Sequence, residues 1–327
     1  MKTIAIIEGG YSSEKVISLK SAQTVHDALD SEQLYCIRVR IDDEGWRAYY
    51  KKEWLDINRA NFTIMYKDTE VAFDYAFIAI HGEPGENGQL QAYFDLLSIP
   101  YSTCNQLISA VTFNKFLCNQ YLSSLGVPIA KSLVFEQNAI FQMASTIEQV
   151  NNEIKYPCFV KPTESGSSFG VSRVSRAEDL EKAIVAAFEH GKQIMVEAYL
   201  AGREISSGVY QSYKGIHVLP LTEIRTENEF FDYQAKYEGS SEEITPAPIS
   251  EAVTEMIQDQ TRTIYEKLPL RGICRVDYMI TETGPVLIEI NTVPGFSAES
   301  IIPQMAACAG ISLNQLFTDV VEYTSYN

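Results

Sequence analysis

The feature that most constrains this chain is the stretch 271–300, RGICRVDYMITETGPVLIEINTVPGFSAES, where an arginine, two acids and an amide recur at two-residue spacing. That spacing predicts two strands, residues 273–280 and 285–291, joined by a polar turn over 281–284, because a strand sends alternate side chains to opposite faces. Arg275, Asp277 and Met279 then share a face, as do Glu289 and Asn291, while Ile288 and Ile290 point the other way. An odd-numbered loop centred on Thr283 sets Asp277 opposite Glu289 and Arg275 opposite Asn291, whereas an even one scatters them to opposite faces. Facing carboxylates repel, so such a hairpin calls for positive charge between them. Arg275 is one source. A hard cation matches better, because Asp277, Glu289 and Asn291 offer only oxygen, the ligand type of Mg²⁺, which is held by few carboxylates together with phosphate oxygens. The expectation is a metal site serving a nucleoside triphosphate.

A chain of 327 residues is long enough for several cores. With 46% hydrophobic and 21% charged residues it reads as globular. No apolar run reaches the length of a membrane span, and the opening MKTIAIIEGG lacks the pattern of a signal peptide. Cysteines at 36, 104, 118, 158, 274 and 308 show no CxxC pairing and read as reduced residues of a cytoplasmic protein. The formal charge of −17 argues against a nucleic-acid surface. Any phosphate site must therefore be built locally, from a few lysines, arginines and backbone NH groups.

From the start, residues 3–7 predict a buried strand, and the turn EGGYSS leads into a helix carrying Val16, Leu19, Ala22, Val25 and Leu29. This is how an α/β sheet begins. The turn lacks the dinucleotide glycine spacing, which excludes a nicotinamide site of that type. Strands follow at 35–41 and 74–80, and the latter ends in HGEPGENGQLQ, crowding His81 and Glu86 at a strand's carboxyl end, where open α/β sheets bind ligands. An apolar helix spans 105–125 and carries Lys115. A strand then ends in Lys161 and runs into the flap 164–170, ESGSSFG, whose backbone NH groups suit phosphates. It is not a Walker loop, since the lysine precedes it and no helix follows directly. Ser175 and Glu178 form an expected capping box for a helix bearing Leu180, Ile184 and Phe188. Another strand covers 193–200, and between Thr222 and Pro248 the pattern breaks down around FFDYQAKYEG, the signature of a lid. Ser312 caps the last helix.

With these pieces in place the chain resembles the ATP-grasp carboxylate-amine ligases, and among them the D-alanine:D-alanine ligase family. The resemblance rests on EGGYSSEKVISLKS, HGEPGENGQLQ, VKPTESGSSFGVSRV, FFDYQAKY and CRVDYMI with VLIEINTVPGFSAESIIP, in that order. It implies an α/β, three-domain ATP-grasp fold with an amino-terminal Rossmann-like parallel-sheet domain: residues 1–105 for substrate, 106–192 carrying the flap, and 193–327 carrying the lid and the Mg site. It further implies ATP as cosubstrate, two Mg²⁺ ions with Mn²⁺ able to substitute, small-molecule partners only, and room for a homodimer. In that family ATP phosphorylates the carboxylate of one D-alanine and the amine of a second displaces phosphate. By resemblance Lys115, Lys161, Ser168 and Lys236 contact the nucleotide phosphates, Glu197 and Leu200 hold adenine, and Glu204 holds ribose. Asp277, Glu289 and Asn291 hold the metals, and Arg275 with the Gly295 NH stabilises the oxyanion. Glu14 receives the first ammonium in a network with Ser167 and Tyr237; His81 lies on the substrate loop, and Ser300 and Ile301 hold the second carboxylate. Glu83 and Pro84 depart from the Arg-Gly pair expected after His-Gly. Tyrosine at position 237 goes with dipeptide formation, where phenylalanine goes with ester-forming relatives.

Overall fold

The computed structural model describes residues 2–164, 166, 169–226 and 241–326. The first sheet is built from β1 (Lys2–Gly9), β2 (Leu34–Asp42), β3 (Gly45–Tyr50), β4 (Glu53–Asn58), β5 (Thr63–Tyr66), β6 (Thr69–Ala72) and β7 (Tyr75–Ile78), in the order β6-β5-β4-β3-β2-β1-β7. Only β2, β1 and β7 are parallel; β2 to β6 form an antiparallel meander of which the sequence pattern predicts only β2. The reason is turn chemistry. Lys51 and Lys52 adopt φ of 48° and 71°, and Lys67 adopts 53°, positions where Gly or Asn normally announce a hairpin. Helix α1 (Lys15–Leu29) covers this sheet through Ser18, Ser21, Ala22, Val25 and Leu29, while Val16, expected on the inner face, is exposed. Helix α2 (Gln89–Leu97) follows the glycine-rich loop.

The expected long helix is two. Asn105 caps α3 (Gln106–Phe113) by accepting from the Ile108 NH at 2.9 Å, and Asn114 caps α4 (Lys115–Ser124) by accepting from the Leu117 NH at 3.0 Å. The extended backbone of Asn114 breaks the run, and it leaves Lys115 in the first turn of α4.

The second sheet, in the order β10-β9-β11-β8, joins β8 (Ser132–Glu136), β9 (Cys158–Pro162), β10 (Ser172–Val174) and β11 (Gln193–Ala198). Helices α5 (Met143–Glu153) and α6 (Leu180–Phe188) pack on it around Val150, Val160, Ile184 and Val196. The capping box does not form: a short 3-10 turn over Ala177–Asp179 starts at Arg176 without a side-chain cap. The division at 192/193 would give β11 to the third unit, but β11 pairs with β8 and β9, so the second sheet closes at Ala198.

The third sheet runs β15-β14-β12-β16-β17, with β13 beside β12: β12 (Arg203–Ser212), β13 (Gly215–Val218), β14 (Thr222–Thr226), β15 (Ser241–Ile244), β16 (Cys274–Thr281) and β17 (Gly284–Asn291). Helix α7 (Glu251–Lys267) backs it; α8 (Ile301–Cys308) and α9 (Leu313–Thr324) follow. The cores interleave along the chain. Ile108, Cys118 and Leu122 pack with Ile205, Ile257 and Leu287 of the third unit, and Met305, Leu316 and Phe317 join Ile6 and Phe77 of the first. Five of the six cysteines are buried, Cys308 being exposed. Among the described residues no helix is long and apolar enough to cross a membrane.

Candidate active site

The β16–β17 hairpin places Asp277 opposite Glu289 and Arg275 opposite Asn291, as the side-chain pattern predicts, but by another route. Its loop is even, since Thr281 pairs with Gly284 across Glu282 and Thr283. A regular ladder from that turn would put Asp277 opposite Ile288. Instead Tyr278 pairs with Leu287 and Asp277 with Glu289, so Ile288 is the extra residue of a β-bulge, which restores the acids to one face. The apolar side chain of Ile288 lines the cleft above.

Asp277 is 3% exposed and heavily supported. Ser206 on β12, its partner across the sheet, donates to Oδ1 at 2.6 Å. Arg275 grips both oxygens, Nε to Oδ1 and Nη2 to Oδ2 each at 2.9 Å, and Asn291 Nδ2 donates to Oδ2 at 3.1 Å. Lys115 Nζ stands 3.5 Å from Glu289 Oε2. The positive charge that two facing carboxylates demand is thus met by Arg275 and Lys115. Among the described residues no group of three or more His, Cys, Asp and Glu gathers as a metal cluster, and the donor set here is two carboxylates and one amide. All three donors are oxygen on one face of one hairpin, which fits a hard cation shared with phosphate.

This floor lies under a cleft of about 680 Å³, within the range of small-molecule sites. Glu14, His81, Lys115, Lys161, Glu197, Leu200, Glu204, Arg275, Glu289, Asn291, Gly295, Ser300 and Ile301 all line it. Asp277 sits behind Arg275, and Ser167, Ser168, Lys236 and Tyr237 lie outside the described residues. The second sheet forms the roof. Lys161 on β9 donates to Glu197 Oε2 on β11 at 2.6 Å, both residues buried. The other oxygen of Glu197 is buried without a partner among the described residues. A buried acceptor left over in a ligand cleft is a place for a donor, and an adenine amino group is one.

The amino-terminal wall is held by contacts distant in sequence. His81 Nδ1 lies 2.7 Å from the Val293 carbonyl, and Nε2 lies 3.2 Å from Ser21 Oγ, which itself accepts from the Phe296 NH at 3.0 Å. Burial keeps the imidazole below its ordinary range despite the pull of Glu14, so His81 donates through Nδ1 and accepts through Nε2 as a neutral ring. In this arrangement it ties the first unit to the 291–296 loop. Glu86 accepts from the NH groups of Gly82 at 2.7 Å and Val293 at 3.2 Å; burial, then the charge of Glu14, pushes its carboxyl up to about 7. A Cβ on Gly166 would meet Glu14 Oε2 at 2.4 Å, so the backbone there approaches the Glu14 carboxylate closely and a side chain at 166 would displace it. The Glu83–Pro84 peptide is cis, and the Glu83 carbonyl accepts from the Tyr11 NH at 3.1 Å. Ser21, Ser206 and Asn114 were not singled out by sequence reasoning. Each is a small polar residue, Ser21 in a helix, Ser206 in a strand and Asn114 at the break between two helices, whose partner only the fold reveals.

Residues 3–104 match the family model D-ala D-ala ligase N-terminus, and residues 121–322 match D-ala D-ala ligase C-terminus. The chain belongs to the D-alanine–D-alanine ligase family. Relatives include the D-alanine–D-alanine ligases of Phocaeicola vulgatus, 46% identical over 98% of both chains, and of Bacteroides fragilis, 44% identical at the same coverage. Among solved structures it is similar to the VanG D-Ala:D-Ser ligase from Enterococcus faecalis, with a TM-score of 0.87 and 30% identity over 98% of both chains. It is also similar to the D-alanyl-alanine synthetase A of Vibrio cholerae, with a TM-score of 0.88 and 28% identity, covering 100% of this chain and 99% of that one. The ligase therefore has the ATP-grasp fold.

Proposed function

We propose that this chain is an ADP-forming ligase that joins two D-alanines through an acylphosphate, making D-alanyl-D-alanine for peptidoglycan. The observation that carries the reading is Arg275, fixed by Asp277 beside Asn291 and Glu289 on the floor of the cleft. A guanidinium held in place before the reaction is positioned to meet negative charge as it develops, without reorganising at that moment. The Gly295 NH is assigned the same task from the adjoining loop. Lys115 and Lys161 orient the triphosphate, Glu197 and Leu200 the adenine, and Glu204 the ribose. Asp277, Glu289 and Asn291 would hold Mg²⁺, which when bound neutralises charge on the transferring phosphoryl group. Glu14 receives the first D-alanine's ammonium, and Ser300 and Ile301 at the start of α8 receive the second carboxylate. Ser167, Ser168, Lys236 and Tyr237 keep their roles in the flap and lid. The working division is residues 1–105, 106–198 and 199–327, and the enzyme acts in the cytoplasm.

A second reading is a ligase that takes another second substrate, since a D-Ala:D-Ser ligase shares this fold so closely. One assay separates them. Incubation with ATP, Mg²⁺, D-alanine and equal D-serine and D-lactate should give D-alanyl-D-alanine as the main product at neutral pH. A main product of D-alanyl-D-serine or of ester would overturn the assignment.

A further inference from the structure

Glu243 on β15 is an acid in the cleft that none of the steps above uses. The sheet places it by register. Glu243 pairs with Ile224, Ile224 with Glu204, and Glu204 with Met279, so the four side chains form one row across the cleft floor, and all four line the cleft. At the outer end of that row Glu243 turns toward α8. Gln304 Nε2 donates to Glu243 Oε2 at 2.7 Å and to the Glu299 carbonyl at 2.9 Å, which fixes the carboxylate against the helix. Gln304 follows Ser300 by one helical turn, about 5.4 Å. The carboxylate is therefore held about one amino acid's reach from the end of α8 assigned to the second substrate. Arg275 is the cation that faces it, and burial outweighs that pull, raising the carboxyl above its ordinary range. A half-buried acid in this condition favours an added cationic partner.

We propose that Glu243 receives the ammonium of the second D-alanine and thereby selects an amino acid over a hydroxy acid as nucleophile. The inference rests on the ligase reading above. Glu243 acts as a specificity determinant: the substrate's carboxylate is held at Ser300 and Ile301, and its amine is held at Glu243 until the acylphosphate is in place.

The test is the isosteric Glu243→Gln, which keeps an acceptor for Gln304 and removes the charge. Initial rates fitted to two D-alanine sites should show KM for the second site raised about 10- to 100-fold, with KM for ATP and for the first site unchanged. With D-lactate as competitor, the ester-to-dipeptide ratio should rise by a similar factor, because a hydroxyl needs no anion. Gln304→Leu, which keeps the charge and drops the hydrogen bond, should move the second KM less. An unchanged second KM, equal losses with D-alanine and D-lactate, or equal effects of the two variants would overturn the proposal by making Glu243 a support for Gln304. Failure of the ligase reading looks different, because then the wild-type enzyme forms no D-alanyl-D-alanine.

Discussion

The floor and the roof of the cleft each bury an acid against a base, and they do it differently. On the floor, Asp277 has Ser206, Arg275 and Asn291 around its two oxygens. On the roof, Glu197 has Lys161 on one oxygen and nothing described on the other. A satisfied network is rigid before substrate arrives, which suits groups that must meet a transition state. A half-satisfied pair is stable only while its one partner remains, and its spare acceptor favours a ligand. The contrast separates a surface built for chemistry from one built for binding.

The largest effect should come from breaking the roof. Lys161→Met leaves Glu197 buried and unpaired, and should cost about 3–5 kcal/mol in urea unfolding; Lys161→Met with Glu197→Leu should recover most of it. A loss of about 1 kcal/mol or less, the value of an exposed pair, would erase the distinction between roof and floor. Breaking the floor should instead show in turnover. Arg275→Met should lower kcat about 10²- to 10³-fold while the KM for ATP moves little, since Ser206 and Asn291 still hold Asp277. A variant with near-normal kcat would show that the floor is structural only.

The smallest effect lies at the amino-terminal wall. The carboxyl of Glu86 rises from an ordinary 4.5 to about 7 in the folded protein. Between those values the folded chain binds more protons than the unfolded one, so this residue's contribution to stability is fully present below 4.5 and is lost as pH rises through 7. Glu86→Gln should flatten that decline in urea midpoints measured across the same interval. An identical pH profile in the variant would mean that the NH groups of Gly82 and Val293 already offset the burial.

Much of the floor was legible because strand side chains alternate whatever the rest of the chain does. Arg275, Asp277, Glu289 and Asn291 were grouped from spacing, and they do share a face. The loop parity was not legible, because a bulge is a tertiary accommodation: Ile288 is left over between Leu287 and Glu289, so that Asp277 pairs with Glu289 and the acids keep their face. The meander from β3 to β6 escaped notice for a related reason, its turns placing Lys51, Lys52, Phe62 and Lys67 in a backbone conformation that their side chains do not advertise. The lid residues Lys236 and Tyr237 and the flap residues Ser167 and Ser168 lie outside the described residues, so their roles rest on resemblance.

By itself the sequence determined which residue types the cleft contains and which of them share a strand face, since local periodicity is a property of the backbone. It also carried the family, through motifs read in order. Only the tertiary structure decided which groups meet across the chain: His81 with Val293, Ser206 with Asp277, Lys161 with Glu197, Gln304 with Glu243. Those pairings depend on sheet order and on helices packed into another unit's core, and no local pattern encodes a hydrogen bond whose partners are brought together by burial elsewhere.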